Sequence, residues 1–119
     1  MSLRVALIGI AAGIVLAAPA WAAAPPVGPL PAGPTTQITT QRGQLVALAL
    51  PAQPSGRVWR LKGSIDTRVV REVSEADVGK DVVILFRTVG RGATTLSYGS
   101  TRGETSKAYA ARRFHITVR

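Results

Sequence analysis

From residue 45 to the last residue, large apolar side chains recur at every second position in short runs, and turn-forming residues interrupt them. In Leu45–Leu50 the side chains of Val46, Leu48 and Leu50 fall on one face. In Arg113–Arg119 the alternation is complete: Phe114, Ile116 and Val118 point one way, and Arg113, His115, Thr117 and Arg119 the other. A period of two belongs to a strand with one face buried and does not suit a helix, whose period is 3.6. Val82–Phe86 is apolar on both faces, which predicts a central strand. Thr94–Tyr98 is rich in strand formers, with Leu96 and Tyr98 on one face. Ile38–Thr40, Val58–Leu61 and Thr67–Val73 are shorter strand candidates. Ser74–Glu75–Ala76–Asp77 has the look of a helix start, with a capping Ser and acids in the first turn, and predicts at most one helical turn.

Turn signals at Arg42–Gly43, Pro51–Gly56, Lys62–Gly63, Asp77–Asp81, Gly90–Gly92 and Gly99–Gly103 separate these runs. About seven short strands at this spacing predict an all-β domain, an immunoglobulin-like antiparallel β-sandwich. Gly90–Arg91–Gly92 reads as a hairpin turn. With no Cys in the chain, the domain has no disulfide and depends on its core.

The domain is expected at residues 37–119. Ahead of it, residues 23–36 (AAPPVGPLPAGPTT) hold five Pro and two Gly, a composition that favours extended, solvated backbone and reads as a mobile linker. Residues 1–22 have the order of a secretory signal peptide: the basic head Met1–Arg4, the apolar run Val5–Ala18, then Pro19–Ala20–Trp21–Ala22 with small side chains where a signal peptidase requires them. The apolar run has 14 residues, short of the roughly 20 that a spanning helix needs. The expectation is cleavage after Ala22, no stable membrane span afterwards, and a periplasmic or secreted product.

The inventory argues against catalysis. There is one His, no Cys and six acids, and His115 sits on the outward face of the last strand. A hydrolytic triad or a metal site would need more partners than this at workable spacing, so no catalytic residue, no metal and no cofactor is expected. The net charge of +9 is spread along the chain, with Arg112–Arg113 the longest basic run. Nucleic-acid binders cluster such charge and interleave aromatics, so a nucleic-acid partner is not expected. The charge reads as a solvated basic surface that also favours an anionic partner.

What remains is binding through loops on a rigid scaffold. Two loops stand out, Leu50–Trp59 (LPAQPSGRVW) and Tyr98–Glu104 (YGSTRGE). Leu50–Pro51, Pro54, Ser55–Gly56 and Trp59 resemble the first inhibitory loop of the chagasin family of cysteine-peptidase inhibitors, roughly L-P-x-N-P-T-T-G-Y-x-W. Gly43–Leu50, Val82–Val89, Gly92, Thr94–Tyr98 and Phe114–Val118 are similar to the family's strands, so the likeness spans most of residues 41–119. Three departures stand beside it. Gln53 replaces the Asn, and the loop is one residue shorter before Gly56. Asp77–Asp81 has one glycine, Gly79, where the family has a glycine-rich second loop. Gly99–Ser100–Thr101–Arg102 follows Tyr98 where the family carries R-P-W.

The resemblance implies an immunoglobulin-like fold and a protein partner, a papain-like cysteine peptidase, whose cleft is occluded by three loops that offer no cleavable bond. The residues it singles out for contact are Gln53, Pro54, Ser55, Gly56, Arg57, Gly79, Gly99, Ser100, Thr101 and Arg102. Read as structure instead, Trp59 and Tyr98 belong to the core and its edge, Pro51 and Pro54 are turn formers, and Gly56 supplies a positive φ. The alternative function is a structural or assembly β-domain of a cell-envelope complex such as a pilus or secretion machine, with strands that add to a partner's sheet.

Overall fold

The computed structural model describes residues 24–119, so the leader expected at residues 1–22 lies outside the described residues. The elements are seven strands: β1 Thr35–Thr40, β2 Leu45–Leu50, β3 Arg57–Lys62, β4 Val70–Val78, β5 Asp81–Thr88, β6 Gly92–Arg102 and β7 Ala108–Val118. They form two sheets, one of four strands in the order β1-β7-β6-β3 and one of three in the order β2-β5-β4. This is the all-β sandwich that the alternation predicts.

The core lies between the sheets. Val46, Leu48 and Leu50 from β2, Ile84 and Phe86 from β5, Leu96 and Tyr98 from β6, and Phe114, Ile116 and Val118 from β7 are all buried. Each such side chain fully removed from water contributes about 1.5–3 kcal/mol before entropy is counted. Tyr98 and Phe114 meet edge to face, centroids 6.2 Å apart at 74°, the arrangement that aromatic quadrupoles favour. β5 is the central strand of its sheet, as its two-sided apolar pattern predicts, with Val83 and Leu85 half-buried on the outer side.

Four expectations need correction. The sandwich is not antiparallel throughout: β1 pairs with β7 in parallel, from Thr35 opposite Arg113 to Thr40 opposite Val118. No hairpin turn joins these two strands, which come from opposite ends of the domain, so nothing forces them to reverse. Ser74–Asp77 is strand and not helix. The two-residue turn at Gly79–Lys80, with Gly79 at φ +65°, sets Val78 opposite Asp81 and carries the pairing back along β4. The register shifts between Glu72 and Ser74, as at a β-bulge. Cross-strand pairing here outweighs a weak capping preference. At the other end β4 begins only at Val70, because the Asp66 backbone carbonyl accepts the Val69 and Val70 amides and its carboxylate accepts the Arg68 amide, closing a turn over Thr67–Val69. Finally, Gly90–Gly92 is no hairpin, since it carries the chain from β5 in one sheet to β6 in the other.

The Pro-rich segment also departs from expectation. Residues 24–34 lie as a strap over the outer face of the four-stranded sheet. Val27 is only 6% exposed, and the Gly28 amide donates to Ser106 O at 2.7 Å. Prolines bring carbonyl acceptors and no N–H donors, so the sheet supplies the donors. Arg60 Nη2 donates to Pro25 O at 2.5 Å, Lys62 Nζ to Gly28 O at 2.8 Å and the Arg113 amide to Pro34 O at 3.1 Å. Gly99 lies beneath the strap: a Cβ there would stand 2.9 Å from both Val27 Cγ1 and Leu30 Cδ2.

Candidate functional site

Three bends gather at one end of the sandwich. The first, Pro51–Gly56, carries the chain from β2 across to β3. Pro54 O accepts the Arg57 amide at 3.1 Å and Gly56 has φ +84°, which is the geometry of a type II turn with glycine at the position that requires positive φ. The expected role of Gly56 is thus met. Trp59 is half-buried against the core, and its indole N–H donates to Pro51 O at 2.8 Å. One side chain therefore anchors the base of this bend.

The first bend is tied to both of the others. On one side the Ala52 amide donates to Asp81 Oδ1 at 3.0 Å, just after the Gly79–Lys80 turn. On the other the Gly103 amide donates to Gly56 O at 3.1 Å, at the start of the β6–β7 turn. That third turn is braced in its own right. Thr101 Oγ1 donates to Gly103 O at 2.7 Å, Thr105 Oγ1 to Arg102 O at 2.8 Å, and Arg60 Nη1 to Thr105 O at 2.6 Å.

Among the residues singled out in the sequence, Pro54, Ser55 and Gly56 are exposed at the tip, Gln53 and Arg57 are half-buried beside it, and Gly79 and Arg102 are exposed on the flanking turns. Pro54 to Arg57 and Arg102 line a shallow hollow. Gly99, Ser100 and Thr101 are not loop residues. β6 runs on to Arg102, pairing with β3 as far as Arg102 opposite Arg57, and Ser100 and Thr101 have no exposed surface. The third bend consists of Gly103–Lys107 instead.

Sequence reasoning also missed Tyr109. Its ring, 36% exposed, lies under the guanidinium of Arg57, 4.3 Å from the centroid. Arg102 and Lys107 place their charges 5.5 and 5.1 Å from the same centroid. Cations over a ring face are drawn by its quadrupole. The three residues lie on different elements, so no local pattern announced the cluster. His115 lies far from it along β7 and shares a 2.8 Å hydrogen bond with Thr95 Oγ1 across the outer face.

The sandwich has a counterpart among solved structures. This chain shares its fold with a cysteine protease inhibitor. The solved structure is that of an inhibitor from Entamoeba histolytica; the superposition has a TM-score of 0.56 at 16% identity and covers 71% of this chain and 95% of that one. At that identity the likeness concerns the fold. No protein-family model matches this chain, and no curated protein matches it in sequence. The fold implied by the loop pattern at Leu50–Trp59 is the fold that this comparison finds.

Proposed function

We propose that this chain is an exported inhibitor of papain-like cysteine peptidases that occludes the peptidase cleft with the bends Pro51–Gly56, Gly79–Lys80 and Gly103–Lys107. The observation that carries the reading is the pair of hydrogen bonds, Ala52 to Asp81 and Gly103 to Gly56, that fixes the three bends side by side before any partner arrives. A wedge ordered in advance loses little conformational entropy on binding. Its leading edge, Pro54–Ser55–Gly56, is a tight turn, whereas a scissile peptide must lie in an orientation that lets the nucleophile reach its carbonyl. Arg57, Arg102 and Lys107 beside the wedge favour approach to an acidic cleft rim. The order of residues in positions 1–22 supports a periplasmic or secreted site of action.

Strand addition to an envelope assembly has less support. β4 is a free edge, but it is bulged after Glu72 and directs Glu72, Glu75 and Asp77 toward the inner side, features that discourage a strand from pairing there. The test is direct: increasing amounts of the chain are mixed with papain and substrate turnover is followed. Competitive inhibition supports the proposal, and full activity at a large molar excess refutes it.

A further inference from the structure

On the side of the molecule where β3 and β4 are the free edges of the two sheets, the layers leave a cleft of about 360 Å³, within the size range of small-ligand sites. Its walls differ in chemistry. Trp59 and Leu61 from β3 and Tyr98 from β6 form one side. The other is β4, where Glu72, Glu75 and Asp77 stand opposite Phe86, Ile84 and Val82, on the face that turns toward the core. These carboxylates form no ion pair among the described residues, where Asp66 and Arg68 make the one salt bridge. Tyr98 is 96% buried, yet its hydroxyl makes no hydrogen bond to a described residue. Burial and the charges of Glu72 and Glu75 raise the phenol well above its usual range, so it is present as a neutral donor beside the acids. The Trp59 N–H is committed to Pro51 O, which leaves the indole to offer its ring. Of the two cations at the rim, Arg57 is held over Tyr109, and Lys80 is exposed on its turn.

We propose that this cleft binds an organic cation, an alkylammonium or alkylguanidinium whose stem lies on Trp59 and Leu61 and whose charge meets Glu72, Glu75 and Asp77. An aromatic wall and carboxylates facing the same cleft together attract such a group more than either does alone. The inference rests on the cleft and is independent of the inhibitor reading.

The test follows the indole N–H resonance of Trp59 by NMR, referenced to an internal chemical-shift standard. Three probes are titrated: n-butylammonium chloride, acetyl-Ala-Lys-Ala-amide and, as the uncharged control, n-butanol. The expected result is a saturable shift of Trp59 with at least one cation, none with butanol, and binding about tenfold weaker in Glu72→Gln/Glu75→Gln. Tighter binding of the peptide identifies the source as a partner's side chain, and tighter binding of butylammonium identifies a free amine. Both variant positions are exposed, and thermal unfolding checks that the fold persists; Asp77→Asn, expected to weaken binding as well, serves as the second variant. No saturable shift with either cation, an equal shift with butanol, or unchanged affinity in the folded variants overturns the proposal.

Discussion

Gly103 donates its amide hydrogen to Gly56 O over 3.1 Å, which joins the bend that leaves β2 to the bend that ends β6. The two residues lie far apart in the chain, and the antiparallel pairing of Arg57 with Arg102 brings them together. The contact surface is therefore a product of the β3–β6 ladder, and changes at its supports should be read at its tip.

Gly56 is the first such support. With φ at +84°, an L side chain there is strained by about 1–2 kcal/mol. Gly56→Val should lower unfolding free energy by that amount in urea titration. It should weaken peptidase inhibition further than the stability loss accounts for, because it also shifts the carbonyl that receives Gly103.

Trp59 is the second. Trp59→Phe keeps an aromatic body against the core but removes the donor to Pro51 O. The expected cost is about 1 kcal/mol, with amide hydrogen exchange faster across Ala52–Gly56 than in β7.

The strap supplies a third prediction. Gly99→Ala places a methyl 2.9 Å from both Val27 Cγ1 and Leu30 Cδ2, so it should destabilise the domain by about 1–3 kcal/mol through overpacking. Leu30→Ala in the same chain should recover part of that loss. A double-mutant cycle by thermal unfolding measures the coupling, and strict additivity would show that the strap does not rest on β6.

Tyr98 gives a pH dependence. Its folded pKa is raised by burial first and by Glu72 and Glu75 second, above the roughly 10 of an unfolded tyrosine. A raised acid favours the folded state while it is neutral, so this contribution is fully present below about pH 10 and is lost as pH climbs from there toward the folded pKa. Denaturant titrations between neutral pH and pH 11 should show stability falling at the alkaline end in the wild type and falling less in Tyr98→Phe.

These residues also show what the chain's pattern discloses and what it conceals. Val46, Leu48 and Leu50, like Phe114, Ile116 and Val118, announce their strands because one face of each is buried and the other is not. β4 gives only part of such a signal, in the strand candidate Thr67–Val73. Beyond Val70 its residues are exposed, so no alternation arises, and from Ser74 onward the local taste for a helix cap is all that can be read. Pro51–Gly56 is legible because its turn chemistry is local. Gly99–Thr101 misleads for the opposite reason: small polar residues suggest a loop, yet here Gly99 fits beneath the strap and Ser100 and Thr101 are fully buried. The strap itself is hidden by composition, since the donors that hold its carbonyls, Arg60 and Lys62, come from a distant strand. Tyr109 stays silent until folding places Arg57 above it.

On the proposed function, the tied bends enter a peptidase cleft. The most direct measurement is the inhibition constant of the whole chain against papain, set beside that of Gly56→Val and of Arg57→Ala, at low and high ionic strength. Entry of the bends into the cleft predicts competitive inhibition by the wild type and clear weakening in Gly56→Val. It also predicts a salt-sensitive association rate that Arg57→Ala makes less so, since screening shortens the reach of surface charge from about 30 Å at 0.01 M to about 3 Å at 1 M. Undiminished papain turnover with the wild type in large excess, or equal inhibition by wild type and Gly56→Val, would contradict it.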